Sequence, residues 1–313
     1  MKQFLLKISI IAIVSFVMII LIDIAILRKV DNLSYYSHER NFSLAYYRLK
    51  ALKDSNKIVI IGGSSGAFGF NSRMIHEAFN LPVVNTCTHA SIGLRMQFET
   101  FKDMLRDGDI VILCPEYGGG KERLYGGYNL LRILSTHLPE GYRKISLRQW
   151  LYIYKFIGLH NLGTSRHEDV EEYDDAYSAN AINEFGDIEW EREHKDSIDN
   201  YTLSGVMDGE LIDYFKYIRD YTKSKGIKLV FLPPTFMKSN FKNCADQIDS
   251  LAYCLETNGV PWQSSPSNYS FEDSLYFDTP YHMTPEGADI RTKAIIKDWH
   301  RLLVSIRQTP YRL

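Results

Sequence analysis

The hydrophobic pattern divides the chain into an apolar N-terminal segment and a longer part in which short apolar runs alternate with amphipathic stretches. Ile8–Ile22 contains no charged residue, and the apolar character continues beyond one acidic residue to Leu27. The length of the apolar segment from Ile8 to Leu27 is close to the ~20 residues that a helix needs to cross a bilayer. No small-x-small cleavage site comes after it, so the pattern predicts an uncleaved membrane anchor over residues 1–29 rather than a signal peptide. We expect Phe4–Leu27 to form one continuous helix that projects from the globular domain.

The orientation of this anchor is only weakly encoded. Lys2 and Lys7 precede the apolar segment, and Arg28 and Lys29 come after it, so the positive-inside rule barely discriminates. A short N-terminal segment before the membrane helix and a large domain after it are typical of anchors that export the domain. We therefore expect an extracytoplasmic domain. The polar and aromatic residues 30–56 are predicted to form a juxtamembrane linker leading into a helix.

From Lys57 onward, β-branched runs alternate with stretches of helical periodicity, which is the pattern of βαβ units. The first run ends at two glycines and is typical of a buried parallel strand. Strands are predicted at Lys57–Ile61, Leu81–Asn85, Asp109–Leu113 and Ile227–Leu232 and weakly near Val260, and helices at Ser72–Asn80, Leu94–Leu105, Glu210–Lys225, Cys244–Thr257 and from Pro285 to about Ile306. The sequence thus predicts an α/β domain over residues 57–313, with a central parallel sheet of about five strands and Asp109–Leu113 beside the first.

Residues 116–204 interrupt this alternation. They contain many tyrosines and few strand signals, so we interpret them as an insertion beside or over the carboxyl edge of the sheet, where such folds bind ligands. The acidic run Glu168–Asp175 lacks the spaced oxygen ligands and the glycine of a calcium loop, so a solvated face is the favoured interpretation. The tyrosines are compatible with a sugar platform, but packing roles are expected for most of them.

Composition narrows the class of protein. The chain has 313 residues, of which 45% are hydrophobic and 24% charged, which excludes a wholly disordered chain and a polytopic membrane protein. The net charge of −2 gives no basic footprint for nucleic acid. Four scattered cysteines are too few for a disulfide scaffold or a thiolate zinc site. No metal and no cofactor is expected. The cysteines are Cys87, Cys114, Cys244 and Cys254.

A glycine-rich loop, Ile61–Ser72, comes directly after the first predicted strand. Glycines allow a sharp turn that leaves a small side chain exposed at the carboxyl end of the strand. Phosphate binding is one interpretation, but the loop lacks the lysine of a P-loop and the GxGxxG spacing. A serine nucleophile surrounded by backbone amides is a second interpretation, and an ordinary strand-to-helix turn is a third. The loop alone does not decide between them.

A second candidate site lies just before the last predicted helix. Thr284 is a good N-cap and Pro285 a good first helical residue, so His282 belongs to the preceding loop. Asp278 lies four residues upstream of it. A histidine held in such a loop can act as a base while the carboxylate orients it and stabilises its charged form.

The two loops together resemble the SGNH or GDSL hydrolases. Gly62-Gly63-Ser64 is similar to the Gly-Asp-Ser block of that family with its aspartate replaced, and Asp278 and His282 are similar to the terminal block. The resemblance implies a flavodoxin-like three-layer α/β/α fold, with Ser64 as nucleophile, His282 as base and Asp278 as the residue that orients His282. It covers about Lys57 to Leu302, interrupted by the insertion.

The oxyanion hole is where the chain departs from the family. Val84–Gly93 is similar to the second block, which supplies a backbone amide, and the third block would be Cys114-Pro115-Glu116-Tyr117 in place of Gly-x-Asn-Asp. Glu116 therefore stands where an asparagine would donate, and an ionised carboxylate cannot donate a hydrogen bond. The terminal block also has three residues between Asp and His rather than two. The resemblance implies these oxyanion or substrate contacts: Ser65, Ala90, Ser91, Gly93 and Glu116.

Three functions are compatible with the sequence. The first is a membrane-anchored serine esterase that removes acyl groups, such as acetyl, from a carbohydrate or another cell-surface ester. The second is an O-acyltransferase that uses the same triad on cell-surface polysaccharide. The third is a non-catalytic binding protein that retains the fold, for which Glu116 and the longer Asp–His spacing are the evidence. The expected partners are a small-molecule or polysaccharide ester and the membrane, with no nucleic acid.

Overall fold

A parallel sheet of four strands forms the centre of the protein. The computed structural model describes residues 2–30, 37–127, 129–130, 133–134, 139–153 and 175–305. The strand order is β2-β1-β3-β4, and all three neighbouring pairs are parallel. The strands are β1 (Ile58–Gly62), β2 (Val83–Asn85), β3 (Ile110–Cys114) and β4 (Lys228–Phe231). The predicted α/β class and the predicted adjacency of β1 and β3 are both confirmed.

The prediction of about five strands is wrong by one, because the segment near Val260 does not join the sheet. This segment runs past β4 and makes a single backbone hydrogen bond to it, from the Gln263 amide to the Phe231 carbonyl oxygen at 2.8 Å. Pro261 has no N–H to donate to a ladder, which explains why pairing does not extend. Two further short strands, β5 (Phe236–Met237) and β6 (Ser270–Phe271), pair in parallel with each other outside the central sheet.

Helices connect the strands and cover both faces of the sheet. The predicted helices after β1 begin within one residue of their observed starts, and only the helix at Leu94 ends early, continuing as a 3-10 turn over Lys102–Met104. The helices of the described residues include α1 (Lys2–Val30), α2 (Ser37–Ala51), α3 (Ser64–Ala67), α4 (Ser72–Phe79), α5 (Leu94–Phe101), α6 (Lys121–Tyr125), α7 (Gly209–Ser224), α8 (Lys238–Asn243), α9 (Ala245–Thr257) and α10 (Pro285–Ser305).

Successive side chains of the central strands enter two separate cores. Because side chains alternate along a strand, both faces of β1 and β3 must be apolar, which explains their β-branched runs. One core packs against α2, α5 and α7, and the other packs against α4 and α10. The first core receives Val59, Ile61, Val111 and Leu113, and the second receives Ile58, Ile60, Ile110 and Ile112.

The N-terminal segment forms one continuous helix, α1, as the sequence predicts. Its apolar side chains are exposed, among them Phe4, Ile11 and Ile13, each more than 60% accessible. Within the described part of the chain, no helix combines the length and the hydropathy of a membrane span. The anchor over residues 1–29 stays a prediction from the sequence.

The described part of the insertion packs at the carboxyl edge of the sheet, where it was expected. Asp187 is buried there and accepts hydrogen bonds from the Ser72 amide and hydroxyl, both at 2.7 Å, and from the Asn85 side chain at 2.8 Å. These bonds connect the insertion to the segments that come after β1 and β2. Residues 168–174 of the acidic run lie outside the described residues.

Candidate active site

Ser64 lies directly after β1, at the start of the short helix α3 and at the carboxyl edge of the sheet. The two preceding residues must be glycines because the segment at the end of β3 approaches them closely. A Cβ on Gly62 would lie 2.6 Å from the Cys114 carbonyl oxygen, and a Cβ on Gly63 would lie 2.7 Å from Oε1 of Glu116. The glycine-rich loop therefore packs β1 against β3 while it presents the serine.

His282 approaches this serine from the other end of the chain. Its Nε2 lies 2.8 Å from Ser64 Oγ, although the two residues are 218 positions apart. Its Nδ1 lies 2.9 Å from Oδ1 of Asp278. The imidazole stacks on the Phe68 ring at 4.2 Å between centroids, and the His282 amide donates to Oγ1 of Thr279. The geometry predicted for a Ser–His–Asp arrangement is thus met within hydrogen-bond distance.

The carboxylate of Asp278 fixes the state of the histidine. Burial disfavours the charged form of Asp278, but hydrogen bonds and charge from His282 outweigh it and hold the pKa of this carboxyl below its usual range. An ionised Asp278 accepts a proton-bearing Nδ1, which leaves the lone pair of Nε2 facing Ser64. This is the tautomer that a general base requires.

Tyr177 is a residue of this site that the sequence pattern did not single out. Its hydroxyl donates to Oδ2 of Asp278 at 2.5 Å and lies 3.1 Å from Nδ1 of His282. Burial, reinforced by the Asp278 carboxylate, raises the pKa of Tyr177, so the phenol remains a donor. Tyr177 belongs to the tyrosine-rich insertion, and no local motif distinguishes it from its neighbours. Only the folding of the insertion onto the last loop identifies it.

Glu116 is buried beside the nucleophile, in the cleft where it was expected. Its Oε1 accepts from Ser64 Oγ at 2.7 Å and from the Ser65 amide at 3.0 Å, and its Oε2 accepts from Arg123 Nη1 at 2.8 Å. Burial raises the pKa of Glu116, but the Arg123 charge and these hydrogen bonds outweigh it, so the net pKa is lowered. A serine hydroxyl has one proton and donates either to this carboxylate or to His282.

The other predicted oxyanion contacts divide into two groups. The Ser65 amide faces the position beside Ser64 Oγ, and Ala90 lines the space next to Gly63. The Ser91 amide instead donates to Nδ1 of His89 at 3.1 Å, and the Gly93 amide donates to the Ala90 carbonyl oxygen at 3.1 Å. These two amides close a 3-10 turn, which is why they are not offered to a substrate in this conformation.

The four cysteines are all free, and three of them are buried. Among the described residues, no group of three or more His, Cys, Asp or Glu side chains is arranged to hold a metal ion.

No family model matches this chain, and no curated protein matches its sequence. A function can therefore be inferred only from the residues and the geometry of the site.

Proposed function

We propose that the protein is a serine esterase of SGNH or GDSL type. One observation carries the proposal: Ser64 Oγ, the His282 imidazole and the Asp278 carboxylate form a continuous hydrogen-bonded line, with distances of 2.8 and 2.9 Å. Three residues from opposite ends of the chain converge in the order that nucleophilic catalysis needs.

In the proposed reaction, Ser64 Oγ attacks the ester carbonyl while its proton passes to Nε2 of His282. The tetrahedral intermediate then collapses, and the leaving alcohol takes that proton, which leaves an acyl group on Ser64. Water attacks the acyl-enzyme by the same route, with His282 again as base, and releases the carboxylic acid. The Ser65 amide is the oxyanion donor in this reaction, since it and Ser64 Oγ bond the same Glu116 oxygen, and one such donor contributes about 3–4 kcal/mol.

The proposed substrate is an acyl group, such as acetyl, on a carbohydrate or another cell-surface ester. The resemblance to anchored SGNH hydrolases and the apolar N-terminal segment support this choice. We further propose that α1 anchors the protein in a membrane and that the domain is extracytoplasmic. The continuity of α1 and its exposed apolar side chains are in keeping with that arrangement.

A non-catalytic binding protein with the same fold is the competing proposal. One observation favours it: the Glu116 carboxylate takes up the Ser65 amide and can also accept the Ser64 proton. A resting site of this kind either opens before catalysis or does not catalyse.

A fluorophosphonate probe on the full-length protein distinguishes the two proposals. We expect labelling at Ser64, located by mass spectrometry of the digested protein, because only an activated serine attacks phosphorus at a useful rate. Ser64→Ala should abolish the label. Ser65→Ala is the matched control, since the Ser65 hydroxyl makes no hydrogen bond and the substitution keeps the backbone amide. Absence of label from the folded wild-type protein would favour the binding protein.

A further inference from the structure

A small cavity lies on the far side of Glu116 from the nucleophile. The cavity has a volume of about 30 Å³, whereas a cavity that holds a single water needs roughly 10–15 Å³. Its walls are mainly apolar and come from α5, α7, α9 and the segment after α9. They include Leu94, Leu211, Phe215, Leu251, Leu255 and Trp262.

Glu116 separates this cavity from Ser64. The residue lines the cavity together with Gly63 and Arg123, while its Oε1 accepts from Ser64 Oγ at 2.7 Å. Gly63 has no side chain to stand in between. One displacement of the Glu116 carboxylate would therefore connect the cavity with the nucleophile and release the Ser65 amide at the same time. Arg123 is about a quarter exposed and can remain paired with Oε2 outside the cavity.

The far wall limits what the cavity can hold. Three of the cavity-lining residues have buried polar atoms without a hydrogen-bond partner, namely Oε1 of Gln97, the Tyr117 hydroxyl and Nε1 of Trp262. Burying such groups against a long hydrocarbon chain costs roughly 1–3 kcal/mol each, whereas water or a small polar group can satisfy them. The small volume favours an acyl group of two to four carbons over a fatty acyl chain.

We propose that this cavity is the acyl-binding subsite for short-chain esters and that Glu116 closes it in the resting state. The proposal rests on the serine esterase function. An entering ester carbonyl competes with Glu116 Oε1 for the Ser65 amide. As the carboxylate leaves that amide, the acyl tail enters the cavity and the carbonyl carbon comes within reach of Ser64 Oγ.

A series of alkyl fluorophosphonates tests the proposed acyl subsite on the full-length protein. The probes carry ethyl, butyl and octyl groups and share the same leaving fluoride. In the wild-type protein, we expect the rate of Ser64 labelling to fall at least about tenfold from ethyl to octyl, since misfit of even one methylene is worth 10-fold or more. Leu255→Ala enlarges the cavity and should reduce this ratio to about threefold or less.

Ile248→Ala is the matched control. Ile248 lies on the same helix and is fully buried, but it packs in another apolar cluster and does not line the cavity. It should lose similar stability and keep the wild-type chain-length ratio. Leu94→Ala, which changes a lining residue of α5, replaces Leu255→Ala if that variant fails to fold.

The outcomes of this experiment distinguish the proposed acyl subsite from the proposed esterase function. Equal labelling rates for all three probes, or the same ratio in the enlarged and control variants, would overturn the subsite and leave the esterase function standing. A folded protein that reacts with none of the probes would overturn the esterase function itself.

Discussion

Two buried carboxylates, Asp109 and Glu116, flank strand β3. Each has a cationic partner, but the two ion pairs are expected to have different roles. Asp109 precedes the strand and accepts from Nζ of Lys57 at 2.7 Å, from the Lys57 amide at 3.1 Å and from the Arg106 amide at 3.0 Å. Glu116 comes after the strand and accepts from Arg123, Ser64 and the Ser65 amide. Both have an ion-pair partner and backbone donors.

The difference lies in what their partners do. The partners of Asp109 are Lys57, which directly precedes β1, and Arg106, which lies in the turn before β3. They belong to the amino edge of the sheet, and both Lys57 and Asp109 have fully buried side chains. The partners of Glu116 include the proposed nucleophile and its oxyanion donor. Parallel sheets bind ligands at their carboxyl edge, so one buried ion pair is expected to determine stability and the other to determine reactivity.

The largest expected effect is the loss of turnover at the carboxyl edge. Ser64→Ala and His282→Ala should each lower kcat by about 10⁶-fold, because nucleophile and base act as one unit, and the double variant should lose little more. Hydrolysis of p-nitrophenyl acetate measures the activity, and urea unfolding measures the stability. Residual turnover above a tenth of wild type in either folded variant would place the chemistry elsewhere.

At the amino edge, Asp109→Ala should destabilise the protein by about 3–5 kcal/mol, because it leaves the Lys57 ammonium buried and unpaired. The folded fraction should retain its activity. The double variant Lys57→Met, Asp109→Leu is the control. An apolar pair should recover the part of the loss that comes from the unpaired charge, although the Lys57 and Arg106 amides remain without their acceptor. Urea unfolding followed by tryptophan fluorescence gives the free energies. A loss of activity without a loss of stability would contradict the contrast between the two edges.

Glu116→Gln tests the carboxyl edge of the sheet by removing the negative charge of the Glu116 side chain. The neutral amide binds the Ser65 amide less strongly than a carboxylate does, and its nitrogen can donate to an oxyanion. We expect labelling of Ser64 by ethyl fluorophosphonate to become about tenfold faster. The unfolding free energy should fall slightly at neutral pH, where the charged Glu116 contributes to stability. A hundredfold slower reaction would show instead that the carboxylate takes part in catalysis.

The sequence predicted the sheet because strands and helices depend on local patterns, whereas the proposed triad came from the resemblance of two distant loops to the SGNH hydrolases. The run at Lys57–Ile61 has the composition of a doubly buried strand, and Thr284 and Pro285 indicate the start of α10, which fixes the loop that carries His282. The contacts at Val260 and Tyr177 could not be predicted in the same way. Whether the segment near Val260 pairs as a fifth strand depends on which N–H donors lie opposite β4. The Tyr177–Asp278 contact depends on how a long insertion folds back.

Tyr177→Phe should have a smaller effect than any change in the triad itself. The hydroxyl holds Oδ2 of Asp278, and a hydrogen bond to a charged group is worth about 1.5–3 kcal/mol, so kcat should fall roughly tenfold with little change in KM. Asp278→Asn should cost far more, about 10⁴-fold, through the wrong histidine tautomer. Tyr201→Phe, also in the insertion, is the control and should retain wild-type kinetics. An equal loss in both tyrosine variants would indicate a general effect on the insertion.

The smallest expected effect is a difference in acid stability. The pKa of Glu116 in the folded protein is held below its ordinary value of 4.5, so the unfolded chain takes up a proton at higher pH than the folded protein does. Its contribution to stability is therefore complete above about pH 4.5 and is lost as the pH falls through the lowered pKa. Asp278 acts in the same direction from its ordinary value of 3.8. Urea unfolding between pH 7 and pH 3 should show the wild-type free energy falling in acid, and Glu116→Gln, which does not titrate at this position, should fall less. A parallel decline of the two curves would mean that Arg123 and the Ser65 amide stabilise the charged carboxylate no better than water does.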